Sequence, residues 1–81
     1  MTTTDYPPSH NPDMRAGETT AQFCRRMDHR PGTHLTSDEG YGPQTIVISA
    51  VGERTILAYD LTTPEFESPW NLAHRHWKPT P

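Results

Sequence analysis

One cysteine and several histidines are the side chains best suited to hold a metal, because zinc binds sulfur and ring nitrogen. In the segment His74–His76 an extended backbone would put both imidazoles on one side, and Cys24 or His34 could supply a third ligand. Neither CxxC, HxxxH nor HExxH occurs. On one helix, Cys24 and His29 would lie about 140° apart, so they could not chelate together. A zinc-stabilised domain is therefore only an alternative, with candidate ligands Cys24, His34, His74 and His76, and no cofactor is expected.

Nucleophilic catalysis would need a cysteine or serine with a base and an orienting acid within reach. No nucleophile elbow or other catalytic signature surrounds Cys24 or any serine. Cys24 on a helix is typical of a small buried hydrophobic residue, and adjacent carboxylates such as Asp38 and Glu39 are typical of a solvated loop. We therefore expect a protein that is not an enzyme.

Aromatic side chains near basic ones indicate binding instead. Tryptophan and tyrosine are enriched at the energetic centres of protein interfaces. A groove holding Tyr41 and Trp77, flanked by Arg75 and Lys78, would bind a partner peptide or stack on a nucleic-acid base. The alternative is that Trp70 and Tyr59 fill the core. The predicted partner-binding residues are Tyr41, Trp70, Arg75, Trp77 and Lys78.

The charge distribution makes a protein the preferred partner over nucleic acid. The net charge is −3, and residues 36–67 carry six acidic side chains against Arg54 alone. Residues 21–35 and 68–81 are each +2. Because an acidic centre repels phosphate, a nucleic-acid binder that uses the basic flanks is the alternative. Its phosphate contacts would be Arg25, Arg26, Arg30, Arg75 and Lys78.

Length and composition allow one small core. The chain has 81 residues, of which 31% are hydrophobic and nine are proline, and a chain of this size buries a modest share of its surface. With no long apolar run, no membrane role is expected. The single cysteine and the lack of a signal peptide predict a cytoplasmic protein.

The stretch QTIVISAVGERTILAYDL, residues 44–61, predicts the β-hairpin around which the chain is organised. β-branched and aromatic residues fill both runs, and Gly52-Glu53 suits a two-residue type II′ turn. Pairing Val51 with Arg54 then sets the register. Because strand side chains alternate between faces, four large ones share the face that we expect to be the core. These are Ile46, Ile48, Leu57 and Tyr59.

A short helix is predicted before the hairpin. Thr19 and Gln22 fit the capping box T-x-x-Q at a helix start, and Pro31 prevents the helix from continuing past His29. Phe23 and Met27, at i and i+4, would cover one end of the hairpin's core.

Further short strands must accompany the hairpin, since an isolated hairpin is marginal in water. Alternation and turn residues predict them at 33–37, 66–68 and 74–78. The sequence thus predicts a mainly β fold with a short N-terminal helix and four to five short antiparallel strands in a small barrel or sandwich.

Three parts of the chain are distinguished by composition. Residues 1–17 hold threonines and prolines and almost no aliphatic residue, which predicts a flexible arm. Residues 18–79 form a single small β-rich domain, and residues 80–81 are a tail.

The pattern from PGTHLTSD through TIVISAVGERTILAYD to ESPWNLAHRHWKP resembles small proteins of actinobacterial bacteriophages and prophages, whose core has the strand order of SH3-like barrels such as KOW and Tudor modules. The similarity covers roughly Arg30 to Pro79 and consists of a Pro-Gly turn, a VGER-type hairpin and a Trp-rich terminal strand. It implies a small SH3-like barrel and a phage accessory protein that acts by binding. Nucleic-acid-binding KOW modules are usually basic in their loops, where this chain has Asp38 and Glu39.

These observations predict a non-enzymatic protein-interaction module, a phage-encoded accessory protein that binds a host or phage protein in the host cell cytoplasm. Exposed strand edges in so small a sheet would also permit a homodimer. The alternatives are a nucleic-acid-binding SH3-like module and a small zinc-stabilised domain.

Overall fold

A computed structural model describes residues 11–38 and 42–80. It contains α1 (Thr20–Arg26), β1 (His34–Asp38), β2 (Pro43–Val51), β3 (Ile56–Asp60), β4 (Ser68–Trp70), the 3-10 helix η1 (Leu72–His74) and β5 (Lys78–Pro79). The predicted mainly β class, with a short N-terminal helix and four to five antiparallel strands, is confirmed, and the described residues contain five strands.

The strands form one open antiparallel sheet in the order β4-β3-β2-β1-β5. The first four strands pair consecutively, and the last strand returns to pair with β1. Each edge strand contains a proline, Pro69 in β4 and Pro79 in β5. A proline has no N–H to donate to a further strand.

The helix begins as the sequence predicts. The Thr19 hydroxyl accepts from the Gln22 backbone N–H at 3.1 Å, and the Gln22 side-chain Oε1 accepts from the Thr19 N–H at 2.9 Å. Phe23 is buried in the core, but Met27 is 38% exposed, so the expectation that Met27 covers the core is wrong. Met27 is the C-cap, and Asp28 adopts a positive φ of 61° that turns the chain away.

The hairpin turn lies one residue later than predicted. The Gly52 N–H donates to the Thr55 carbonyl at 2.8 Å, so the two turn residues are Glu53 and Arg54. Gly52 does not have a positive φ. A Cβ at Gly52 would lie 3.0 Å from the Thr55 carbonyl oxygen, and close backbone approach therefore explains this glycine.

A register shift next to Ser49 changes the predicted faces. Near the turn, Val51 pairs with Ile56. Farther from the turn, Ile48 pairs with Ala58. Between these two pairs, β2 has one residue more than β3, as in a β-bulge. The predicted register paired Ile48 with Leu57, the residue before its actual partner Ala58. Because side chains alternate along a strand, this shift of one residue exchanges the two faces of β3.

The core face of β3 is therefore the opposite of the predicted one. Ile56 and Ala58 are buried at 1% and 0% exposure, while Leu57 and Tyr59 are only half-buried. Assigning Leu57 and Tyr59 to the core is wrong, although Ile46 and Ile48 do lie in it.

The core joins α1 to one face of the sheet. Among the described residues, nine side chains form it, each at most 2% exposed: Phe23, Cys24, Leu35, Ile46, Ile48, Ile56, Ala58, Leu72 and Trp77. Trp70 packs against this cluster, with its ring edge-to-face to Trp77 at 5.8 Å between centroids. The sheet is thus covered on one face by the helix and by the chain around η1.

Residues 11–17 lie against this domain and are not the flexible arm that composition predicts for 1–17, whose residues 1–10 are outside the described residues. Asn11 is 1% exposed, and its N–H donates to the Ala73 carbonyl at 2.7 Å. Its side-chain amide donates to the Leu72 carbonyl at 3.0 Å. Composition misses this contact because one apolar side chain, Met14, which packs against the core, and a few hydrogen bonds hold the segment.

The last described residue also departs from the predicted tail, since the Thr80 N–H donates to the His34 carbonyl at 2.8 Å. Within the described ranges, no helix has the length and apolar character needed to cross a bilayer.

Candidate partner-binding surface

The two tryptophans that were predicted to bind a partner lie in the core or against it. Trp77 is 2% exposed and Trp70 is half-buried. The prediction that Trp77 lines an open groove is therefore wrong, because Trp77 lies in the core. Tyr41 lies outside the described residues.

Arg75 and Lys78 have different surroundings. The Arg75 guanidinium donates to the Gln44 side-chain oxygen at 2.6 Å, and its Cζ lies 5.4 Å from the centre of the Trp77 ring. Gln44 in turn donates to Asp60 at 2.7 Å, and this hydrogen bond is the main reason that the pKa of Asp60 lies below its ordinary value. Lys78 is exposed on the edge strand β5. Arg75 thus caps the buried indole within a polar network.

The candidate metal ligands lie on separate elements. Cys24 is buried, and burial raises the pKa of its thiol to about 11, so the thiol stays protonated. His76 lies 2.8 Å from an Asp13 carboxylate oxygen, and His34 Nδ1 is 3.1 Å from the Gly32 carbonyl oxygen. His74 ends η1. In the part of the chain that the structure describes, no three His, Cys, Asp or Glu side chains form a group that could hold a metal ion.

Two of the arginines predicted to contact phosphate already pair with carboxylates. Arg26 binds both oxygens of Glu18, at 2.8 and 2.9 Å, and lowers the pKa of Glu18 to about 2. Arg30 binds Asp28 at 2.7 Å. These pairs reduce the positive charge that this flank offers to a nucleic acid.

An apolar strip lies on the outer face of β3, the face turned away from the core. Leu57 and Tyr59 alternate with the buried residues of the strand, and the next alternate residue, Leu61, is 48% exposed. The Leu61 N–H donates to the Thr45 carbonyl at 3.1 Å, which keeps Leu61 beside β2. We call Leu57, Tyr59 and Leu61 the β3 strip.

Val47 lies next to this strip. It is 4% exposed, belongs to the outer face, and is paired with Tyr59 on one side and His34 on the other. The strip was missed in the sequence because both faces of β3 are apolar, so alternation alone does not distinguish them. The local signal that the strand offers points the wrong way, because Asp60 follows Ala58 on the core side of the strand.

An exposed acidic loop continues the strip. Residues 61–67 are all exposed, and Phe66 is 66% exposed. Glu65 and Glu67 flank Phe66, and neither carboxylate has a hydrogen bond or ion pair within residues 11–38 and 42–80. This arrangement combines apolar contact area with unneutralised negative charge, a combination that can bind a partner.

Comparison with known proteins identifies a family whose function is unknown. A family model described as a domain of unknown function, DUF7241, matches residues 18–81. No curated protein and no solved structure matches the chain.

Proposed function

The chain belongs to the DUF7241 family, and since the description of that family gives no activity, we propose from the site alone that the domain is a non-enzymatic protein-interaction module. The observation that carries this proposal is the β3 strip. Large apolar side chains on an outer sheet face are typical of protein-binding surfaces.

The proposed partner is a polypeptide that presents apolar side chains next to lysine or arginine. Leu57, Tyr59 and Leu61 would supply the apolar contact, and tyrosine is enriched among residues that dominate binding energy. The unpaired carboxylates of Glu65 and Glu67 at the end of the strip favour a basic partner through complementary charge.

The strand order supports the SH3-like interpretation that the sequence resemblance implies. The chain runs through four consecutive strands, then η1, then a last strand beside β1. A phage setting and a role in the host cytoplasm follow only from the resemblance and stay predictions.

Selection from a random peptide library on the immobilised full chain tests this proposal. We expect enriched peptides that combine aromatic or aliphatic residues with arginine or lysine. The variants Leu57→Ser and Leu61→Ser should weaken their binding about tenfold or more. The matched control Thr36→Ser, on the outer face of β1, should bind like the wild type.

Two results would contradict the proposal. One is a selection that enriches no peptide, and the other is peptide binding that both leucine variants retain. A salt titration with generic single-stranded DNA and RNA separates the nucleic-acid alternative, because phosphate binding weakens steeply with salt.

A further inference from the structure

Phe66 is the most exposed large hydrophobic residue among those that the structure describes, at 66%. Its neighbours in sequence are Glu65 and Glu67, whose carboxylates have no partner within the described residues. An exposed phenyl ring between two carboxylates is complementary to an apolar pocket with a basic rim.

The same chain has a cleft of this kind, which we call the α1 cleft. Its volume is about 280 Å³, and its lining residues are Cys24, Arg25, Asp28, His29, Arg30, Pro31 and Val51. An engineered apolar cavity of about 150 Å³ is large enough to bind benzene. The α1 cleft therefore has room for a phenyl ring.

The lining suits an aromatic ring. Pro31 and the half-buried Val51 provide aliphatic surface, and His29 is an aromatic ring that is 4% exposed. Burial lowers the pKa of His29 below its ordinary value, so this imidazole is neutral at pH 7 and brings no charge into the cleft.

The rim can bind carboxylates. Arg30 pairs with Asp28, but both side chains are more than 70% exposed, and exposed ion pairs exchange at little cost. Arg25 donates to the Gly52 carbonyl and retains further N–H donors, because a guanidinium has five. Two arginines against one aspartate leave the rim positive.

The loop and the cleft lie at opposite ends of the β2–β3 hairpin. The α1 cleft includes Val51, which is next to the hairpin turn, whereas Phe66 lies in the loop that follows Asp60 at the far end of β3. A chain therefore cannot place its own loop in its own cleft. A second copy can.

We propose that the chain associates with itself end to end, with Phe66 of one copy in the α1 cleft of the next. The two carboxylates that flank Phe66 then face the arginines of the rim. Such a contact uses two different patches, so it can repeat into a ring or a short filament. The contact does not use Leu57, Tyr59 or Leu61, but it shares the carboxylates of Glu65 and Glu67 with the proposed peptide site. Its test measures self-association rather than peptide binding, so its failure is distinguishable from a failed peptide selection.

Sedimentation velocity of the full chain at increasing concentration, in low and in high salt, tests the proposal. We expect the wild type to associate at low salt and to dissociate as salt screens the carboxylate–arginine contacts. The loop variant Phe66→Ser and the cleft variant Arg25→Glu/Arg30→Glu should each raise the dissociation constant at least about tenfold.

The controls match each variant in type. Met27→Ser also removes an exposed hydrophobic side chain, and Arg15→Glu/Arg54→Glu also reverses two exposed arginines, but none of these residues lines the α1 cleft. All four variants should fold, because the substituted side chains lie at the surface, and circular dichroism checks this.

Mixing the two defective variants gives the decisive result. The loop variant keeps an intact cleft and the cleft variant keeps an intact loop, so the mixture should form a one-to-one complex and nothing larger. A wild type that stays monomeric up to about 1 mM, association that neither variant weakens, or a mixture that fails to pair would each overturn the proposal.

Discussion

At the residue scale, His29 is a buried imidazole whose protonation opposes folding. It is 4% exposed, lies edge-to-face against Phe23 at 5.5 Å, and its Nε2 has no hydrogen-bond partner in the described part of the chain. Burial lowers its pKa below 6.5, and the nearby carboxylates of Asp28 and Asp13 only partly offset this effect.

The pH dependence of stability follows from this shift. The unfolded chain binds the proton more readily than the folded protein, so the stability is complete above about pH 6.5 and is lost as the pH falls through the lower folded pKa. We expect the free energy of unfolding, measured in urea, to decrease between about pH 7 and pH 5. His29→Gln should flatten this slope, whereas Thr63→Ala, which removes no titrating group from an exposed position, should leave it unchanged. A slope as steep in His29→Gln as in the wild type would contradict the assignment.

The cap of α1 is a second prediction at this scale. Thr19→Ala removes the acceptor for the Gln22 N–H and should lower the free energy of unfolding by about 1 kcal/mol. Thr63→Ala, at an exposed threonine of the β3–β4 loop, is the control and should change it by less than about 0.5 kcal/mol. Equal effects of the two substitutions in urea unfolding would count against the cap.

The sequence predicted the helix cap but not the burial of His29. The cap depends on residues close together in the sequence, whereas the burial of His29 depends on tertiary structure. A capping box is made by residues three apart, so its pattern is visible in the chain. The burial of His29 depends on the ring of Phe23 and on the path after Asp28, where a positive φ turns the chain. No local pattern predicts that turn, since aspartate adopts a positive φ more often than most residues but still in a small minority of cases.

At the element scale, the register of the hairpin decides which side chains form the core and which form the candidate binding surface. The prediction located both strands but put the turn one residue early and missed the skipped residue near Ser49. Because β3 has apolar residues on both faces, a shift of one residue leaves an equally plausible core. The β3 strip could not be found without that register.

Alanine substitutions on adjacent residues of β3 test the faces directly. Ile56→Ala should lower the free energy of unfolding by about 2–5 kcal/mol, because it leaves a cavity in the core. Leu57→Ala, at a half-buried position, should lower it by about 1 kcal/mol or less. Urea denaturation would contradict the register if Leu57→Ala proved the more harmful change.

At the scale of the whole molecule, the folded unit extends beyond the family match. The match begins at residue 18, yet Asn11 is buried against η1 and donates hydrogen bonds to two consecutive carbonyls. Asp13 adds a contact to His76 at 2.8 Å, and its carbonyl accepts from Arg26 at 2.5 Å. Residues 11–17 thereby connect the helix to the segment before β5.

Asn11→Ala measures this connection. It leaves the buried Leu72 carbonyl without its side-chain donor, so we expect a loss of about 1–3 kcal/mol in the free energy of unfolding. Arg15→Ala, at an exposed position of the same segment, should change it by less than about 0.5 kcal/mol. If a chain that begins at residue 18 is as stable as the full chain in urea, the segment does not contribute to the folded unit.

The prolines of the two edge strands limit how copies of this molecule can aggregate. Pro69 and Pro79 deprive both borders of the sheet of an amide hydrogen, so an incoming strand from another molecule finds an incomplete template. This opposes the homodimer by edge pairing that the sequence suggested, and it leaves surface side chains as the route to any assembly. A concentrated solution of the protein should therefore resist conversion into cross-β fibrils.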